Sequence, residues 1–219
     1  MNDTDALDLA SLLCSRLCHD MLSPVGALSN GLELLSSEND PEMRQRCFEL
    51  LEQSAKISTD KLKFFRLAYG AAGGFGEYVE VAEPKALIEA LAGDARRITI
   101  HWAIEEAKLP KPAIKVLLNL SQIGLDALVR GGTLDVGAEL RNGAYEIVVR
   151  ATGTRIAFDK TIGEALLGET AMAELSSRTA PAHMIAMVAD SVGGGLQYQL
   201  SDEALLLGAV IPAREGLIG

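Results

Sequence analysis

Between Leu7 and Leu35 apolar residues return every three or four positions, and no other feature restricts the possible folds so strongly. On a helix turning about 100° per residue, Leu7, Ala10, Cys14, Leu17, Met21, Pro24, Leu28, Leu32 and Leu35 form one stripe, which must be buried against a neighbour. The spacing predicts one helix over residues 4–36, kinked or loosened about a turn before Pro24. Ser36-Ser37-Glu38-Asn39-Asp40-Pro41 then reads as a turn, with Asp40 capping a second helix and Pro41 in its first position. That helix is expected to run to about Tyr69, with Met43, Cys47, Leu50, Ser54, Ile57 and Phe64 or Phe65 along one face. The result is an antiparallel hairpin. Alone it has too few neighbours to hide both stripes, so pairing of two chains into a four-helix bundle, a homodimer, is expected.

His19 falls on the side opposite the stripe, among Ser15, Arg16, Ser23, Gly26 and Asn30. A ring so placed should be reachable by solvent or by a partner. An exposed neutral imidazole is a good nucleophile toward phosphorus and forms phosphohistidine without a metal of its own. Asp20, beside it, can orient a ring nitrogen. Counting back from the turn places His19 opposite the region of Ile57, so Lys56, Lys61 and Arg16 are candidate cations for a transferring phosphoryl group. Leu12 and Leu22 on the same side are candidates for a docking surface. His101 and His183 have no partners at metal-ligand spacing.

A net charge of −10 with no basic run argues against nucleic acid as a partner. Apolar runs such as Ala204 to Ile211 are too short to span a bilayer. The first residues, Met1-Asn2-Asp3-Thr4-Asp5, lack the character of a signal peptide, so a cytoplasmic protein is expected. Three cysteines without framework spacing suit packed thiols.

Gly70-Ala-Ala-Gly-Gly-Phe-Gly76 marks the expected boundary between domains at 1–72 and 77–213. Beyond it, strands are expected over 77–81, 98–104, 133–140, 145–151, 196–200 and 204–211, and helices over 84–96, 111–129 and 176–192. Asn142-Gly143 signals a hairpin between the third and fourth strands. The order suggests an α+β layer of helices on a mixed or antiparallel sheet.

His19-Asp20-Met21-Leu22-Ser23-Pro24 resembles the phosphoacceptor box of sensor histidine kinases. In that family a dimeric hairpin precedes an ATP-binding, Bergerat-like α/β sandwich, and the resemblance implies that order over the whole chain. The nucleotide motifs depart from the family. The helix through Leu117-Leu118-Asn119-Leu120 should carry a second asparagine where Ile123 stands. The strand Ile147-Val148-Val149-Arg150 should lead into an Asp-x-Gly turn, but the chain has Ala151-Thr152-Gly153. Ser176-Ser177-Arg178-Thr179-Ala180-Pro181 lacks the glycines of a phosphate lid.

An intact histidine box on a degenerate kinase body resembles the ChpT family of histidine phosphotransferases, as do Asn30-Gly31-Leu32-Glu33-Leu34-Leu35 and Ala127-Leu128-Val129-Arg130-Gly131-Gly132. The resemblance implies a homodimer that takes phosphate from the receiver domain of a hybrid kinase and passes it to response regulators such as CtrA and CpdR. His19 would carry the phosphoryl group, with Asp20, Ser23, Arg16 and Lys61 around it. No cofactor would be bound by this chain, since the Mg²⁺ assisting transfer would sit on the receiver. The competing expectations are an ATP-dependent histidine kinase with a divergent pocket and a dimeric adaptor that carries no phosphate.

Overall fold

The computed structural model describes residues 3–70, 77–93 and 97–213. Two long helices open the chain, α1 (Asp3–Ser37) and α2 (Pro41–Ala68). The turn between them is secured from both sides. Asp40 accepts from the amides of Glu42 and Met43 at 2.8 and 3.0 Å, satisfying two free donors of α2. Arg44 Nη1 donates to the carbonyls of Leu35 and Glu38 at 3.0 and 2.9 Å, closing the C-terminal end of α1. α1 continues through Pro24 as one helix, as expected.

The apolar residues of α1 divide in two. Leu9, Pro24 and Gly31 are buried, and Leu13, Leu17 and Met21 pack against the main core. Leu7, Cys14, Val25 and Leu32 are exposed. α2 divides likewise, with Cys47, Ser54, Ser58 and Phe65 buried and Met43, Leu50 and Ile57 exposed. The side facing the rest of the chain is therefore offset from the centre of each stripe. Of the three thiols only Cys47 is packed.

The remaining elements are β1 (Tyr78–Glu80), α3 (Ala82–Ala92), β2 (Ile98–Ile104), β3 (Lys108–Pro110), α4 (Lys111–Ala127), β4 (Gly132–Arg141), β5 (Ala144–Thr152), α5 (Lys160–Leu166), α6 (Ala180–Asp190), β6 (Gly195–Leu200) and β7 (Ala204–Pro212). Five strands form a mixed sheet in the order β2-β4-β5-β7-β6, with β2 parallel to β4 and the other pairs antiparallel. β1 pairs separately with β3. Asn142 and Gly143 take φ of 50° and 78°, so the expected Asn-Gly turn joins β4 to β5.

Several expected boundaries move for local reasons. The helix expected over 84–96 starts at Ala82 and ends at Ala92, where Gly93 turns to a φ of 57°; residues 94–96 lie outside the described residues. The helix expected from Ser176 begins at Ala180, because Ser176 and Thr179 bind each other's backbone and side chains in a closed turn. The short β3 and α5 were not anticipated. The glycine stretch at 71–76, where the domain boundary was expected, also falls outside the described residues.

Beneath the sheet, α4 runs through the core, with Ile114, Val116, Leu117, Leu118 and Leu120 fully buried. Alternation places Ile147, Val149 and Ala151 of β5 on this side and Val148 and Arg150 on the open side. Phe64, Phe65, Leu67 and Ala68 of α2 belong to the same cluster as Leu117, Leu134 and Leu207. The base of the hairpin is thus rooted in the core of the sandwich, which sets α2 against α4 and α1 against α6.

Candidate functional site

His19 lies midway along α1, with its side chain 82% exposed, as expected from its position opposite the apolar stripe. Its Nδ1 is 3.1 Å from Asp20 Oδ1. Asp20 is largely covered, and its other oxygen, Oδ2, accepts from Arg16 Nε at 2.7 Å. An ionised carboxylate only accepts, so in the neutral ring this contact assigns the proton to Nδ1 and leaves the lone pair on Nε2. Arg16 also reaches outside the hairpin, placing Nη2 3.6 Å from Asp126 Oδ2 on α4.

Lys61 comes to the same place by a different logic. In an unbroken helix the carbonyl of Asp20 would accept from the amide four residues on, but that residue is Pro24, which has none. The orphaned oxygen instead accepts from Lys61 Nζ at 2.8 Å, across from α2. The ammonium therefore supports the helix beside His19 and is committed to the backbone. The register is one turn further along α2 than the expected neighbour Ile57, and Lys56 is exposed. Ser23 is exposed on the turn after His19 and lines neither of the hollows beside it.

Next to the histidine, between α1 and the sandwich, opens a cavity of about 470 Å³. Arg16, His19 and Asp20 form one wall, and Asn119, Gln122, Ile123 and Asp126 of α4 form another. Phe158, Arg178 and Pro181 contribute to the remainder. Asn119 is buried, donates through Nδ2 to the carbonyl of Lys115 at 2.8 Å, and has no partner for Oδ1 among the described residues. Arg178 pairs with Asp159 at 3.2 Å. A smaller hollow of about 120 Å³ lies on the other side of the Arg16–Asp20 pair, bounded by Lys61, Phe64 and Leu125.

Asp126 was missed by the reading of the sequence, although a signal exists. Asn119, Gln122 and Asp126 recur at i, i+3 and i+7, a polar line along a helix otherwise rich in buried apolar residues. Tyr69, at the end of α2, was also missed as a neighbour. Burial above all pushes its phenol well above the usual range; Arg16 opposes this and Asp20 adds to it.

Residues 81–204 match the model of the histidine phosphotransferase C-terminal domain. The chain belongs to the histidine phosphotransferase family. Over 205 residues it is 31% identical to the protein phosphotransferase ChpT of Brucella abortus strain 2308, covering 93% of this chain and 96% of that protein. The solved structure of a bacterial phosphotransferase superposes with a TM-score of 0.80 at 28% identity, covering 93% of this chain and 96% of that one. Both similarities span the hairpin as well as the sandwich, so the shared architecture includes the segment that bears His19.

Proposed function

We propose that this chain is a protein-histidine phosphotransferase that carries a phosphoryl group on His19 between receiver domains, without using ATP itself. The observation that carries the reading is the exposed imidazole held through Nδ1 by Asp20, leaving Nε2 for phosphorus. Its donor is the receiver of a hybrid histidine kinase, and its acceptors are response regulators of the CtrA and CpdR kind. This assignment rests on family resemblance. The Mg²⁺ that assists transfer is assigned to the receiver's acidic residues.

Two features support charging by another protein. Ala151, where the kinases place a carboxylate, is fully buried in β5 among apolar neighbours. Ile123 lines the cavity where a second asparagine would stand. The exposed residues Leu7, Val25 and Leu32 of α1 and Met43, Leu50 and Ile57 of α2 support a homodimer whose four-helix bundle would cover them. Among the described residues no helix is long and apolar enough to cross a membrane, in keeping with the proposed work in the cytoplasm.

The decisive experiment incubates the protein with a phosphorylated receiver. Wild type should acquire an acid-labile, base-stable phosphate and His19→Ala none. Normal labelling of His19→Ala would refute the reading.

A further inference from the structure

Arg16 stands between two carboxylates from distant parts of the chain. Nε donates to Asp20 Oδ2 at 2.7 Å, and Nη2 faces Asp126 Oδ2 at 3.6 Å. Burial alone would weaken its hold on its proton, but the bond to Asp20 and the charges of Asp20 and then Asp126 more than reverse this. Among the described residues Tyr69 also faces the guanidinium, and its raised phenol stays neutral. Asp20 meets His19 Nδ1 at 3.1 Å. A line of contacts therefore runs from Asp126 through Arg16 and Asp20 to the imidazole.

An isolated i,i+4 ion pair on a helix is weak and exchanges rotamers readily. A second carboxylate restricts the plane of the guanidinium, and its rigid fork in turn restricts the carboxylate that holds the ring. We propose that Asp126 is a positioning residue for phosphotransfer at His19, acting through Arg16 and Asp20, so that the degenerate sandwich sets the orientation of the phosphoacceptor. This rests on the reading of His19 as the phosphoryl carrier. In the transfer, the Nε2–phosphorus bond forms while the bond from phosphorus to the receiver's carboxylate oxygen breaks, its electron pair leaving with that carboxylate. Nδ1 keeps its proton throughout. The positive charge that develops on the ring faces Asp20, so a fixed Asp20 both selects the attacking nitrogen and stabilises the product.

The test uses the full-length protein labelled with ¹⁵N in its three histidines. In wild type, neutral His19 should populate mainly the Nδ1–H tautomer. Asp126→Asn should shift His19 toward a mixture of tautomers, leaving His101, held by its own Asp135 at 2.9 Å, unchanged. The same variant should lower kcat for transfer from a phosphorylated receiver about three- to tenfold, the size of a coupling between neighbouring charged groups, with KM unchanged. Asp126→Glu should restore most of both signals. Wild-type tautomer and wild-type kcat in Asp126→Asn would overturn the proposal, as would a loss confined to KM. If wild type takes up no phosphate, the functional reading falls, and the tautomer comparison still decides whether Asp126 orients the ring.

Discussion

Lys61 Nζ donates to the backbone oxygen of Asp20 at 2.8 Å, filling the place of the amide that Pro24 lacks. Lys61→Met should therefore leave a carbonyl without its donor beside His19 and cost about 1–2 kcal/mol in urea unfolding. In a Pro24→Ala background the new amide can serve that oxygen, and the same substitution should cost less than half as much. Equal costs in both backgrounds would disprove this explanation of the lysine.

Asp20→Asn keeps the shape of the side chain but loses the charge that pairs with Arg16 and with the ring. Phosphoryl uptake by His19 should slow about a hundredfold, the lower end of the range for a group positioned to assist the reacting side chain. Circular dichroism should show the helices intact. Uptake at the wild-type rate would remove Asp20 from the site.

Gly124 permits the close approach of α4 to the sheet. A Cβ there would stand 2.7 Å from Leu134 Cδ1 and 3.3 Å from Val149 Cγ1, both in the core. Gly124→Val should destabilise the protein by about 2–3 kcal/mol through overpacking. Gly26, in α1, has open space where its Cβ would be. Gly26→Ala should be neutral or stabilising by up to about 1 kcal/mol, and paired denaturant titrations compare the two.

His183 Nδ1 is buried without a hydrogen-bond partner among the described residues, and burial holds its pKa below the usual 6.5. As pH falls through about 6.5 the unfolded ring takes up a proton that the folded ring still refuses. The contribution of this group is therefore complete above that pH and is lost below it. The Tm should fall between pH 7.5 and 5.5, and His183→Leu should flatten that dependence. An unchanged slope would exclude His183 as its source.

The exposed apolar side chains of the hairpin predict self-association. Val25→Asp with Ile57→Asp should convert a dimer at micromolar concentration to a monomer in sedimentation velocity, leaving the far-ultraviolet spectrum of the sandwich unchanged. A wild-type monomer at those concentrations would exclude the bundle.

The hairpin was legible because its determinants are local. Asp40 and Pro41 start α2 by capping, Asn142-Gly143 turns β4 into β5, and strand alternation is read within a few residues. Local signals could not say which half of each apolar stripe faces the same chain. Leu17 packs inward and Leu7 stays exposed because of how α1 lies against α2 and α6, a choice made by packing across more than a hundred residues. The closed turn at Ser176–Thr179 and the short α5 escaped notice because they depend on side-chain hydrogen bonds and on neighbours rather than on periodicity.

The same division runs through the candidate site. The sequence by itself determined that His19 stands away from its helix's apolar stripe beside a carboxylate, and that a proline one turn on deprives Asp20 of a helical donor. These follow from helical geometry and from the missing proline amide. Only the tertiary structure decided that Lys61 fills that place, and that Arg16 is held between Asp20 and an Asp126 lying 110 residues away. Those contacts exist because the base of α2 is buried in the sandwich core and packs on α4, which brings Asp126 within reach of Arg16 near the histidine.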